Sequence, residues 1–292
     1  MTMRRFKLMV GLVLMGLPMV VAGREAKEGD ADVNYDEGRI PAYDLPPLLV
    51  TAEGEVVATA EEWRSVRRPQ ILSLFSNLVY GRVPEAAEPI ETEFSVVKED
   101  KQFMGGRATR KDVKIRFSNR RGAVEMLVLV FVPNGVEGPV PAFMKHSFND
   151  TAGRDFDAHT TRKGRIRNGW PLGWFFDRGY GFVAVDQNDL VGHNEVSFSG
   201  GIHKLFYPEG QSFPKAHEWG CLTTVAWGAM RALDYLETDG DVDATRVAIM
   251  GHSKMGKAAL WTAAQDERFA LAVSAQSGCG GAALWRRKSG ET

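Results

Sequence analysis

Cysteine is nearly absent from this chain: Cys221 and Cys279 are the only two in 292 residues. Two cysteines carry almost no framework information, so one bridge and two buried thiols both stay open. Excess charge is absent too, with 36 Lys+Arg against 37 Asp+Glu and a net charge of -1. Nucleic-acid binding normally leaves a basic stripe, and that class is set aside. No repeat or low-complexity tract occurs. Asp186, Asn188 and Asp189 follow a strand without a matched set of metal ligands, and they read as a turn. Gly278 to Gly281 follows rather than precedes a helix signal, so a tight turn or close backbone approach is expected there, not a phosphate cradle. No metal and no cofactor are expected.

Long apolar runs are missing except at the start. Arg4, Arg5 and Lys7 precede an apolar stretch from Leu8 to Val21 that ends in the small Ala22 and Gly23. Charged start, apolar middle and small-residue end read as a secretory signal over 1–23. The run is short against the ~20 residues of a membrane span. No cysteine follows it to carry a lipid anchor. A periplasmic or secreted protein is expected, free of the membrane once the signal is cleaved. Residues 24–45 are charged and aperiodic, a flexible leader, and 46–292 form one domain.

Within that domain, Thr59 and Glu62 form a capping box that opens a helical stretch, with a restart expected at Pro69. Ile71, Leu72, Phe75, Leu78 and Val79 follow at helical spacing. From about Ile90 the period becomes two, and Arg120, Arg121 and Gly122 turn one alternating run into the nearly all-apolar run from Val124 to Val132. This is a hairpin feeding a buried strand. Pro139 to Met144 and Phe182 to Asp186 are further strands, and Thr151 to Gly169 is a long polar loop, a candidate for lining a site. Leu222, Val225, Ala226, Ala229, Leu233 and Leu236 then form a helical stripe, and Phe269 to Ser274 is a last strand. Antiparallel strands first and β-α alternation afterwards predict an α/β sheet. Trp170, Trp174 and Trp219 fit either a core or sugar-stacking platforms.

The most informative stretch is VAIMGHSKMGKAALWTAA, residues 247–264: a short apolar strand, a one-residue turn at Ser253 and a helix. A side chain at such an elbow projects from the sheet. The backbone N–H groups after it open a helix and can hold an oxyanion. The spacing is G-x-S-x-x-G, and a serine before a helix is also an ordinary cap, so both roles stay open on spacing alone.

This elbow, the segment DERFALAVSAQSGCGGAALWRRKSGET and the preceding AWGAMRALDYLETDGDVDATRVAIMGHS together resemble the glucuronoyl esterases, carbohydrate esterase family 15. The likeness runs from about Trp63 to Thr292 and is densest after Glu218. It implies an α/β-hydrolase fold, a three-layer α/β/α sandwich. It also implies a secreted serine esterase whose substrate is the ester between 4-O-methyl-glucuronate of glucuronoxylan and lignin alcohols. By resemblance Ser253 is the nucleophile, Lys254 stabilises the oxyanion, and Lys257 binds the hydroxyls of the uronate sugar.

Two positions depart from the family pattern. Lys254 stands where an arginine is usual, keeping the charge and losing the planar fork. Gln276 stands at the usual place of the triad glutamate, where an amide cannot supply negative charge. Moreover, no histidine follows Ser253; the six are His146, His159, His193, His203, His217 and His252. In α/β-hydrolases the order is Ser, acid, His. The expectation is therefore that later strands, the acid and the histidine lie beyond Thr292, and that this chain alone is inactive. His146, at a strand end, is the best upstream candidate for lining a pocket, and His252 reads as structural. The rival readings are an esterase for another acyl group, such as acetyl on xylan, and a non-catalytic carbohydrate-binding descendant.

Overall fold

The computed structural model describes residues 36–147, 161–162, 165–166, 170–186, 188–191, 198 and 200–284. The stretch read as a secretory signal and much of the long polar loop fall outside the described residues. Residues 36–45 carry one 3-10 turn, Glu37–Arg39, and otherwise no regular structure, and they are mostly exposed. Packing begins where the Arg67 guanidinium donates to the carbonyls of Pro47 and Leu48.

The Thr59 capping box is present, with the Thr59 hydroxyl accepting from the Glu62 N–H and the Glu62 carboxylate accepting from Thr59 N–H. The helix does not stop and restart at Pro69. It runs from Ala60–Glu62 through a π turn, Trp63–Arg67, into α1, Arg68–Leu78. Proline lacks an N–H, and the wider turn just ahead of it absorbs the missing bond without breaking the helix. The apolar stripe of α1 is only partly covered: Phe75 stacks with Tyr80 and meets Trp261, while Leu78 is exposed.

Seven strands form the main sheet: β1 Glu91–Gln102, β2 Ala108–Asn119, β3 Gly122–Pro133, β4 Val140–Ser147, β5 Gly181–Asp186, β6 Val242–His252 and β7 Leu271–Ala275. Their spatial order is β1-β2-β3-β5-β4-β6-β7. The first three are an antiparallel meander joined to β5, and β5, β4, β6 and β7 run parallel. The two-residue turn at Arg120 and Arg121 is closed by the pairing of Asn119 with Gly122, as the sequence predicts.

Alternation sorts each strand's side chains onto two faces. Val128, Val130, Ala142, Met144, Val183, Val185, Val247 and Ile249 pack under α2, Cys221–Leu236, and α3, Lys254–Gln265. Leu129, Phe131, Phe182 and Ala184 face the opposite way, against the short helix Leu172–Phe176. Helices therefore cover both faces, which is why β3 and β5 read as unbroken apolar runs. Among the described residues no helix is long and apolar enough to cross a membrane.

One buried ion cluster ties the meander to the parallel half. Lys111 on β2 donates to both carboxylate oxygens of Asp239 at 2.8 Å and pairs with Asp241 at 2.6 Å, and the Tyr235 hydroxyl donates to Asp239 at 2.7 Å. Burial would raise the Asp239 pKa, but donation from Lys111, the Asp241 N–H and Tyr235 more than offsets it, leaving the carboxyl below its ordinary value. Its stabilising share is thus present above the unfolded carboxylate range and lost as pH falls through the folded value. Lys111→Met leaves that carboxylate buried without its cation and is expected to cost ~3 kcal/mol at neutral pH. Urea titrations at pH 7 and pH 4 check this: the gap between variant and wild type narrows at the lower pH, where Asp239 of the variant takes up a proton.

Candidate active site

Ser253 sits at the C-terminal end of β6, immediately before α3, with φ 56° and ψ -126°. This backbone state suits glycine, and a residue with a Cβ holds it only where the surroundings impose it. Its side chain makes no capping bond to the helix, and the residue is exposed. The capping role left open by spacing is therefore not the one Ser253 performs. Its carbonyl accepts from the N–H of Gly256 at 2.8 Å and of Lys257 at 3.2 Å, and its own N–H donates to the Ala275 carbonyl at 2.9 Å.

The two flanking glycines are required by close approach. A Cβ on Gly251 would lie 2.0 Å from the Met255 carbonyl oxygen, and one on Gly256 would lie 3.0 Å from the Ala275 oxygen. The longer G-x-S-x-x-G spacing thus does the same work as a tighter one: helix and strand ends touch backbone to backbone. Lys254 is the first residue of α3, and Lys257 lies four positions after Ser253, on the same helix face. Both lysines are half-buried. The positive end of the helix adds to their charge at the elbow.

The described histidines divide by environment. His146 is fully buried beneath α3, its Nε2 3.4 Å from the Thr262 hydroxyl. Burial, helped by the charge of Lys145, pushes its pKa down to about 3. It shares the parity of Met144, which faces the helices, so it packs in the core and does not line a pocket. His203 is buried against Trp219 and Tyr207, 3.0 Å from the Thr224 hydroxyl, with its pKa lowered by burial to about 4. His217 Nδ1 lies 2.8 Å from the Asn77 carbonyl. His252, exposed beside Ser253, meets Gln276 at 2.7 Å. Sequence reasoning missed this last pair; the clue to it is that residue 252 ends β6 and residue 276 directly follows β7, its parallel neighbour. His159 and His193 lie outside the described residues.

The tryptophans separate as well. Trp219 is wholly buried, Trp170 is half-buried against Phe131 and Phe182, and Trp174 is 58% exposed with the Arg178 guanidinium 3.8 Å from its ring centre. Asp186 and Asp189 serve backbone donors, accepting from Asn188 N–H at 2.9 Å and Leu127 N–H at 2.8 Å. No group of three or more metal-ligating side chains occurs among the described residues. Gly278 to Gly281 is a tight turn in which the Gly281 N–H donates to the Gly278 carbonyl at 3.0 Å. Cys221 and Cys279 are half-buried, and no disulfide joins them.

Residues 177–292 match the family described as glucuronyl esterase, fungi. Over 284 residues the chain is 36% identical to a carbohydrate esterase from an unknown prokaryotic organism, covering 89% of this chain and 64% of that one. A solved glucuronoyl esterase from Solibacter usitatus superposes with a TM-score of 0.75 at 37% identity, over 86% of this chain and 68% of that one. A promiscuous family 15 esterase from a marine bacterial metagenome gives 0.74 at 35% identity, over 89% and 70%. The sheet and its elbow are accordingly those of an α/β-hydrolase. The chain spans somewhat under two thirds of the length of the prokaryotic relative.

Proposed function

The chain belongs to carbohydrate esterase family 15, the glucuronoyl esterases, and on that premise we propose that it carries the nucleophile-bearing part of a serine esterase. Its substrate is the ester between 4-O-methyl-glucuronate of glucuronoxylan and lignin alcohols. The observation that carries this reading is the elbow itself: an exposed serine with φ 56° and no capping bond, at the end of a parallel strand and the start of a helix.

In this reaction Ser253 Oγ bonds to the ester carbonyl carbon while its proton passes to a base. The carbonyl oxygen becomes an oxyanion held by backbone N–H groups at the elbow and by the Lys254 ammonium. Collapse of that intermediate expels the alcohol, which takes up the proton, and water then releases the uronic acid from Ser253. The basic, apolar N-terminal stretch supports a periplasmic or secreted location.

Lys257 would hold the uronate hydroxyls, one helical turn from the nucleophile. In a full-length enzyme, Lys257→Ala is expected to raise KM for benzyl glucuronate by about 10- to 100-fold, the loss of hydrogen bonds to a charged donor. Hydrolysis of an acetyl ester should be unchanged. Equal losses on both esters would remove the assigned role and favour an esterase for another acyl group. Gln276 and Lys254 favour a second reading, a non-catalytic carbohydrate-binding descendant, which predicts glycan binding with no turnover of either ester.

A further inference from the structure

His252 and Gln276 lie on either side of the tether that holds the elbow. In the register of β6 and β7, His252 is opposite Ala275, and the next residue's N–H, that of Ser253, donates to the Ala275 carbonyl. The His252 Nε2 and Gln276 Oε1 then meet at 2.7 Å, with both residues exposed. The same seam is closed further along by the Ser274 hydroxyl, which donates to the Gly256 carbonyl at 3.0 Å. Gln276 has φ 47°. Two strained non-glycine backbones, at residues 253 and 276, therefore face each other across one short run of polar contacts.

An amide oxygen only accepts, so this contact sets the imidazole: Nε2 carries the proton whether His252 is neutral or charged. We propose that His252 and Gln276 form a positioning pair that holds the nucleophile elbow against β7. The effect on rate rests on the esterase reading, whereas the pairing itself does not.

The pair is tested by recording histidine ¹⁵N shifts against pH for the full chain as wild type, Gln276→Glu and Gln276→Met, with hydrolysis of benzyl glucuronate by the full-length enzyme followed in parallel. Neutral His252 of the wild type should be the Nε2–H tautomer. Glutamate offers a carboxylate oxygen at the same place and should keep the Nε2–H tautomer. Methionine, of similar length without an acceptor, should erase the tautomer preference and lower kcat about tenfold through misplacement of the elbow, at nearly constant KM. Gln276→Glu, which keeps the acceptor, should retain wild-type kcat. A His252 tautomer in Gln276→Met unchanged from wild type overturns the proposal, as does a Gln276→Glu enzyme faster than wild type. If no form turns over the ester, the esterase reading has failed and the nitrogen shifts still decide the pair.

Discussion

Ser253→Ala is expected to lower kcat for benzyl glucuronate by about three to six orders of magnitude, with the folded chain intact. The loss is large because the hydroxyl is the atom that forms the covalent bond; no neighbouring group can substitute for it at the elbow. Stability should hardly change, since the side chain is exposed and makes no capping bond. The backbone supplies a sharper control. At φ 56° and ψ -126° any residue with a Cβ is strained, by ~1–3 kcal/mol. Ser253→Gly should therefore abolish turnover as fully as alanine does while raising the melting temperature. Turnover and thermal melts on the three proteins check both statements. Equal activity of Ser253→Ala and wild type would end the claim that this serine is the nucleophile, and a glycine variant less stable than alanine would end the claim of stored strain.

Gly251→Ala should do the reverse, damaging the fold first. The added methyl would meet the carbonyl oxygen of Met255 at 2.0 Å and its carbon at 2.3 Å, with the Gly256 nitrogen at 2.8 Å. All three atoms are backbone in the first turn of α3, so no rotamer change relieves them. Either the strand end or the helix must move, and α3 is fastened to the sheet by Met255, Ala258 and Ala259, all fully buried. A loss of at least ~4 kcal/mol is expected, the range of severe backbone and packing lesions. Gly256→Ala is the milder comparison, because its nearest contacts lie at 3.0 Å and include the Ser277 side chain. Urea unfolding of the two variants should rank them in that order. A Gly251→Ala protein as stable as wild type would show that the elbow tolerates separation of strand and helix.

Much of this was legible from residues alone where the cause is local. The Thr59–Glu62 box, the Arg120–Arg121 turn and the VAIMGHS elbow all follow from short-range chemistry, and each is present. The stripe on α2 is legible for the same reason: Val225, Ala226, Ala229, Leu233 and Leu236 are all buried. What was not legible depends on partners distant in the chain. The helix passes Pro69 without a break because a π turn just ahead of it accommodates the proline, and propensity does not show that turn. His146 looks like a site residue from its place at a strand end, yet strand parity turns it toward α3. The contact between His252 and Gln276 requires knowing that β6 and β7 are neighbours in register.

The strand order has a consequence for how the chain is made. β1 pairs with β2 and β2 with β3, so the meander can close as soon as Pro133 has been synthesised. β4 cannot: its two neighbours are β5 and β6, both later in the chain. During synthesis, at roughly 5–20 residues per second, β4 is exposed on one edge until Asp186 has emerged and on the other until His252 has. The nucleophile turn thus ends a strand, β6, whose pairing with the waiting β4 closes a long loop. Errors in folding should accumulate at this central seam and spare the meander. A nascent chain would carry its sheet edge, with Val140, Ala142 and Met144 beside it, uncovered for some 65 residues between Asp186 and His252, and that interval is where a chaperone or a second copy of the chain would meet it.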